Sequence, residues 1–331
     1  MAGQGAYIFG CEGTRLTGAE KAFYAKAQPW GFILFARNVN DPAQLSALTA
    51  EMRDAVGRDA PVLVDQEGGR VQRLRAPHWR EFLPALDQMQ SANDPLRAQW
   101  LRGRLIADDL HRVGIDMNCI PNLDLARAET HPFLKNRCLG SEPEQVAHAG
   151  RALADGSIAG GVLPIMKHMP GHGRSSLDSH HELPRVDTDA ATLTAQDFAP
   201  FAALSDLPMA MTAHQVFAAY DPDRPATQSP EMVRVMRDEI GFGGLLMTDD
   251  ISMNALGGDV ATRGRASLDA GCDVVLHCNG EMDQMAAVAA LGRMTPAAQA
   301  RADAALAQRR TADDTDIAAA AAELDALLAV A

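Results

Sequence analysis

No stretch of this sequence approaches the ~20 uninterrupted apolar residues that a membrane-spanning helix needs, so no membrane partner is expected. The opening MAGQGAYIFGCEGT has neither a basic leader nor a long apolar run and does not read as a signal peptide. There is no basic excess either: 30 Lys and Arg stand against 43 Asp and Glu, a net charge of −13. A duplex-binding protein carries a basic face, so nucleic acid is not an expected partner, and the acidity reads as a soluble, self-repelling surface. The five cysteines (Cys11, Cys119, Cys138, Cys272 and Cys278) are odd in number, widely spaced and form no CxxC pair. Free cysteine in apolar runs behaves as a small hydrophobe, which fits a reduced, cytoplasmic setting better than a disulfide framework. No GxxxxGK[ST] and no GxGxxG after a strand is present, so no nucleotide cofactor is expected. Linker-like Gly/Ser stretches and internal repeats are also missing.

What is present is a series of short apolar runs bounded by turn signals: 6–9, 31–35, 61–64, 115–120, 161–166, 208–212, 243–248 and 272–277. They are apolar without alternation, as strands buried on both faces of a parallel sheet are. Helix-like segments lie between them. The segments at 41–57 and 94–114 open on Asp-Pro, the one at 229–244 opens on Ser-Pro, and those at 142–161 and 261–271 end at glycine. These are N-cap, N1 and C′ signals. Eight strands alternating with helices predict a single-domain (β/α)8 barrel of the TIM type over residues 1–294, with a doubly wound sheet as the alternative. Residues 295–331 are alanine-rich and are expected to form a helical extension packed on the barrel. A monomer is expected.

In such a barrel, function gathers where strands end. Asp65, Arg70 and Arg73 follow the third run, Asp124 the fourth, His214 the sixth, and Asp249 with Asp250 the seventh. The fifth is followed by KHMPGHGRSSLDSHH (167–181), a histidine-rich stretch broken by Pro170, Gly171 and Gly173. It is expected to be a loop throughout, with Lys167 and His168 best fixed because they come first. Several polar loops at one face imply a polar pocket.

Acids and bases around a pocket suit hydrolysis or group transfer. Asp249 is placed to act as a rigid nucleophile, whereas Asp250 reads as an N-cap of the next helix. Asp178 stands two residues from His180, so it can accept a bond from one ring nitrogen and set the tautomer. A histidine so held can give a proton to a leaving oxygen and later take one from water. The bland alternative is a pair of solvated loop residues. Lys167, His168, Arg73 and Arg137 can hydrogen-bond sugar hydroxyls or form ordinary ion pairs. A metal site built on His168, His172, Asp178, His180 and His181 competes. However, Pro170 and two glycines exclude a helix between the first two, and the rest share one loop rather than separate rigid strands. No metal is expected.

Four segments, VDQEGGRVQR, KHMPGHGRSSLDSHHELP, MTAHQVFAAYDPDRPAT and GFGGLLMTDDISM, occur in this order. Together they resemble glycoside hydrolase family 3, in particular its single-domain bacterial β-N-acetylglucosaminidases of cell-wall recycling. The resemblance implies a (β/α)8 barrel and a retaining two-step mechanism without cofactor. Carried over by position, it implies Asp249 as nucleophile and His180 with partner Asp178 as acid/base. It implies Asp65, Arg73, Arg137, Lys167, His168 and His214 as substrate-binding residues. NRCLG around Arg137 departs from the aromatic-containing form of the motif, and Met169 stands where phenylalanine is usual. The glycines of the loop would act as hinges that bring His180 over the sugar. The implied substrate is a muropeptide, N-acetylglucosamine β-1,4-linked to 1,6-anhydro-N-acetylmuramic acid with or without peptide. Alternatives are a β-N-acetylglucosaminide phosphorylase, another family 3 β-glycosidase, and a catalytically dead sugar-binding protein.

Overall fold

The computed structural model describes residues 3–175 and 183–329. Eight parallel strands close into a barrel: β1 Gly5–Phe9, β2 Pro29–Leu34, β3 Val62–Val64, β4 Met117–Asn118, β5 Leu163–Met169, β6 Met209–Thr212, β7 Leu245–Asp250 and β8 Val274–His277. Each pairs with its sequence neighbours, and β8 closes on β1 through Tyr7↔Val275 and Phe9↔His277. This is the expected (β/α)8 barrel.

Every barrel strand is covered on both faces, which is why the runs read as apolar without alternation. The alternation is present as two different cores. Ile8, Leu63, Ile165, Met211, Met247 and Leu276 pack together inside the barrel. Phe9, Val62, Val64 and Val275 pack outward against helices on one side, and Met166, Ala210 and Leu246 do so on the other.

The caps stand where the sequence places them. Asp41 accepts from Gln44 N, Asp94 from Arg97 N and Ser229 from Met232 N. The helices at Pro42–Val56 and Pro95–His111 therefore start on Asp-Pro, and Gly57 ends the first at φ +64°. The 229–244 segment is α-helical only over Pro230–Arg234 and then widens into a π turn at Val235–Glu239. There the Arg237 guanidinium donates to the carbonyls of Phe242 and Gly244 and pairs with Asp273.

Two strands run further than their apolar stretches. β5 includes Lys167, His168 and Met169, so the histidine-rich stretch begins as buried strand, not as loop. β7 includes Asp249 and Asp250. The ladder continues because backbone pairing does not depend on side-chain polarity: Met169 pairs with Thr212, and Leu276 with Asp250. At the C-terminus, Pro296–Leu306 and Ile317–Leu328 are helices. The second is tied to the helix Pro95–His111 by the Arg97–Glu323 ion pair.

Candidate active site

The period of two along a strand determines which side chains top the barrel interior. Leu63, Ile165 and Met247 lie in the interior core. Two residues further on stand Asp65, Lys167 and Asp249. Alternation alone therefore carries an acid, a base and a second acid to the same C-terminal mouth, where barrel sites form.

Lys167 is only 1% exposed. Its ammonium lies 2.7 Å from Asp65 Oδ1 and 2.6 Å from Glu67 Oε1. Arg137 donates to the same glutamate through Nε and Nη2 at 3.0 and 2.7 Å, the two-pronged geometry that makes Arg–carboxylate pairs strong. Arg73 Nη2 approaches Asp65 Oδ2 at 3.4 Å. Burial pushes these carboxyls up, but the surrounding cations outweigh it. Lys167 and Arg73 hold Asp65 far below the usual range, and Arg137 and Lys167 hold Glu67 at about 2. Burial likewise pushes Lys167 down, and its two acid partners more than reverse that. Asp65, Glu67 and Lys167 are therefore ionised at neutral pH.

Asp124, fully buried, is the second anchor. It accepts from His168 Nδ1 at 2.8 Å and from the backbone N–H groups of His168 and His172 at 3.3 and 2.7 Å. His172, to which sequence reading gives no firm task, sets its own Nδ1 2.8 Å from Gln215 Oε1. Burial pushes it down to about 4, so it is neutral in ordinary conditions and braces the chain behind His168.

His214 holds the end of β7. Its Nε2 lies 3.0 Å from the Asp250 carbonyl, which can only accept, and its Nδ1 lies 2.8 Å from Thr227 Oγ1. The proton of the neutral ring therefore sits on Nε2, and the single proton of the Thr227 hydroxyl is shared between Nδ1 and the Ala213 carbonyl, 3.0 Å from it. Burial lowers its pKa and favours this neutral form. Both nitrogens are engaged within the protein. Among the described residues His214, expected to bind substrate, thus steadies the end of β7 through the Asp250 carbonyl. The N-cap reading of Asp250 is corrected. It accepts from Ser252 N, Ser252 Oγ and Cys278 N in a turn, while Asp259 caps the next helix.

The carboxylates of this mouth differ in one respect. Both oxygens of Asp65, Glu67, Asp124 and Asp250 are engaged as described above. Asp249 accepts through Oδ1 from Asp250 N at 2.8 Å, and among the described residues its Oδ2 has no hydrogen-bond partner. Burial pushes Asp249 up, but His168 and that backbone N–H keep it below the ordinary aspartate value. An ionised carboxylate with one free oxygen, beside a balanced set of donors and acceptors, is equipped to attack an electrophilic carbon while neighbours hold the hydroxyls around it.

The structure thus brings Asp65, Arg73, Arg137, Lys167, His168 and Asp249 together. Asp178 and His180 lie outside the described residues. Glu67 is the functional residue that sequence reading misses. Its signal is its position two after Asp65, in Asp65-Gln66-Glu67. Among the described residues no group of three or more His, Cys, Asp or Glu side chains is arranged to hold a metal ion.

The chain matches the family model described as the glycosyl hydrolase family 3 N-terminal domain over residues 13–309. It is 38% identical over 283 residues to a beta-hexosaminidase of Alkalilimnicola ehrlichii, covering 83% of this chain and 81% of that one. A beta-hexosaminidase of Pseudomonas aeruginosa is 35% identical over 297 residues, covering 88% and 87%. Among solved structures, NagZ from Neisseria gonorrhoeae in complex with N-trifluoroacetyl-D-glucosamine superposes with a TM-score of 0.88 at 30% identity, covering 99% of each chain.

Proposed function

This chain belongs to glycosyl hydrolase family 3 and is a β-N-acetylhexosaminidase, and from that footing we propose that it removes terminal non-reducing N-acetylglucosamine from muropeptides by a retaining mechanism. The observation that carries the chemistry is Asp249, the carboxylate of this mouth with an oxygen that has no hydrogen-bond partner among the described residues, on a strand end that His214 fixes. In the first step Asp249 Oδ2 bonds to the anomeric carbon as the glycosidic C–O bond breaks, and His180 passes a proton to the leaving oxygen. In the second, water attacks the same carbon, gives its proton to His180 and frees Asp249. Asp178 is assigned as the partner that orients His180. The support for this dyad is the DSH motif, 178–180.

Asp65, Arg73, Arg137, Lys167 and His168 hold the sugar. Asp65 accepts and Lys167 donates, so hydroxyls that do both can bridge them. The support for an N-acetylglucosamine unit is the beta-hexosaminidase name of the relatives and the N-trifluoroacetyl-D-glucosamine bound by a structural neighbour. The proposed leaving group is 1,6-anhydro-N-acetylmuramic acid, with or without peptide, in the cytoplasmic recycling of peptidoglycan, and the enzyme acts as a monomer without a metal.

Incubation with purified muropeptides and mass analysis of the products tests this. Free N-acetylglucosamine and the residual anhydromuramyl fragment are expected. Intact muropeptides alongside cleaved aryl N-acetylglucosaminide would overturn the substrate. Sugar 1-phosphate formed when phosphate is supplied would make the enzyme a phosphorylase.

A further inference from the structure

Arg102 is a fully buried cation that pairs with no carboxylate among the described residues. It lies on the helix Pro95–His111, 0% exposed. Its Nε and Nη2 both donate to the Glu67 backbone carbonyl, at 3.0 and 2.5 Å, and its Nη1 donates to Gln88 Oε1 at 2.7 Å. Gln88 is itself fixed by donating to the Ala98 carbonyl at 3.0 Å. Burying a charge away from an opposite charge is expensive, and burial holds the Arg102 pKa down at about 10. What offsets that cost is the bonds the guanidinium makes to the Glu67 carbonyl and Gln88, together with its place 5.5 Å over the Phe82 ring.

The surrounding chain is built to admit it. A Cβ on Gly68 would stand 2.2 Å from Arg102 Nη2, and Gly68 has φ +98°. The chain can run past the guanidinium there only because the residue after Glu67 has no side chain. On the other flank Glu67 N and Gly68 N both donate to the Val71 carbonyl, at 2.9 and 3.0 Å. The fork on the carbonyl and these two bonds fix the backbone from which the Glu67 carboxylate reaches Arg137 and Lys167.

We infer that Arg102 is a positioning residue for the sugar pocket. By gripping the Glu67 carbonyl from the helix layer, it sets where the Glu67 carboxylate stands and so keeps Arg137 and Lys167 aimed at the substrate. This rests on the proposed sugar-binding role of those two cations. Arg102 touches neither substrate nor reacting atoms.

A role in sugar positioning and a role in general stability move different kinetic constants. If Glu67 drifts, both ground state and transition state lose the same contacts, so KM rises and kcat holds. If the protein merely unfolds in part, active sites are lost, and kcat per total enzyme falls at constant KM. The test is Arg102→Met and Arg102→Lys, assayed on an aryl β-N-acetylglucosaminide with the folded fraction measured by circular dichroism. We expect Arg102→Met to raise KM by about tenfold, with kcat within about twofold. Arg102→Lys should fall in between, because one ammonium cannot reproduce the fork. Unchanged KM in folded Arg102→Met overturns the inference; should that variant fail to fold, unchanged KM in Arg102→Lys does so. Denaturation reads the same link without substrate. Glu67→Gln should cost clearly less stability in the Arg102→Lys background than in wild type, and strict additivity overturns the inference. Absence of turnover by wild-type enzyme would instead count against the proposed function, and the denaturation comparison then decides on Arg102 alone.

Discussion

Glu67→Gln isolates the residue on which the cationic side of the pocket depends. The amide keeps the shape and removes the charge, leaving Lys167 with Asp65 and Arg137 with no ion-pair partner among the described residues. Two routes give the cost. Removing one member of a buried ion pair costs about 3–5 kcal/mol, less whatever Asp65 and entering water restore. Alternatively, a carboxyl held at about 2 against an ordinary 4.5 corresponds to about 3 kcal/mol by linkage. Both point to about 3 kcal/mol. For a chain of 331 residues the unfolding entropy is about 0.7 kcal/mol/K, so Tm should fall by about 4 °C. The sign of the pH dependence follows. The folded pKa lies below the unfolded one, so the stabilisation is complete above pH 4.5 and fades as pH falls toward 2. The Tm gap between wild type and variant should therefore be constant from pH 7 to about 5.5 and shrink by roughly two fifths by pH 3.5. Differential scanning calorimetry at matched ionic strength measures it. A variant as stable as wild type at pH 7, or a gap that widens on acidification, would refute the charge network drawn here.

Asp249→Ala should reduce turnover of an aryl β-N-acetylglucosaminide by on the order of 10⁴-fold or more; near-normal turnover would remove Asp249 from the mechanism. His180→Ala should slow natural substrates far more than nitrophenyl glycosides, whose leaving group needs little protonation, and equal slowing would argue against an acid role. Thr227→Val deprives His214 Nδ1 of its hydroxyl partner and should lower kcat/KM by about tenfold, the value of one buried hydrogen bond. An unchanged kcat/KM would mean that the Thr227 contact to His214 does not matter. Prolonged dialysis against a chelator should leave activity intact, whereas loss that zinc restores would bring back a metal mechanism.

The barrel and most of its mouth were legible in the sequence, and the parts that were not share a physical cause. Apolar runs report what a strand's side chains are packed against. They do not report how far its backbone stays paired. β5 and β7 therefore appear to stop at Met166 and Thr248, although their ladders extend through Lys167–Met169 and Asp249–Asp250. The difference matters for function, because it makes Lys167 and Asp249 strand residues held by the barrel itself. Glu67 escaped notice for a related reason. In a list of polar residues after a strand it looks like loop, and only the alternation that aligns it with Asp65 gives it an inward direction. His214 shows the converse limit. Its place after β6 is plain from sequence, yet its task depends on Thr227, 13 residues later, and on a backbone carbonyl of another strand. Local pattern can say which residue types reach the mouth of a barrel. It cannot say which of them are already paired there. That pairing singles out Asp249 from the neighbouring acids as the proposed nucleophile, because its Oδ2 is the carboxylate oxygen of this mouth with no hydrogen-bond partner among the described residues.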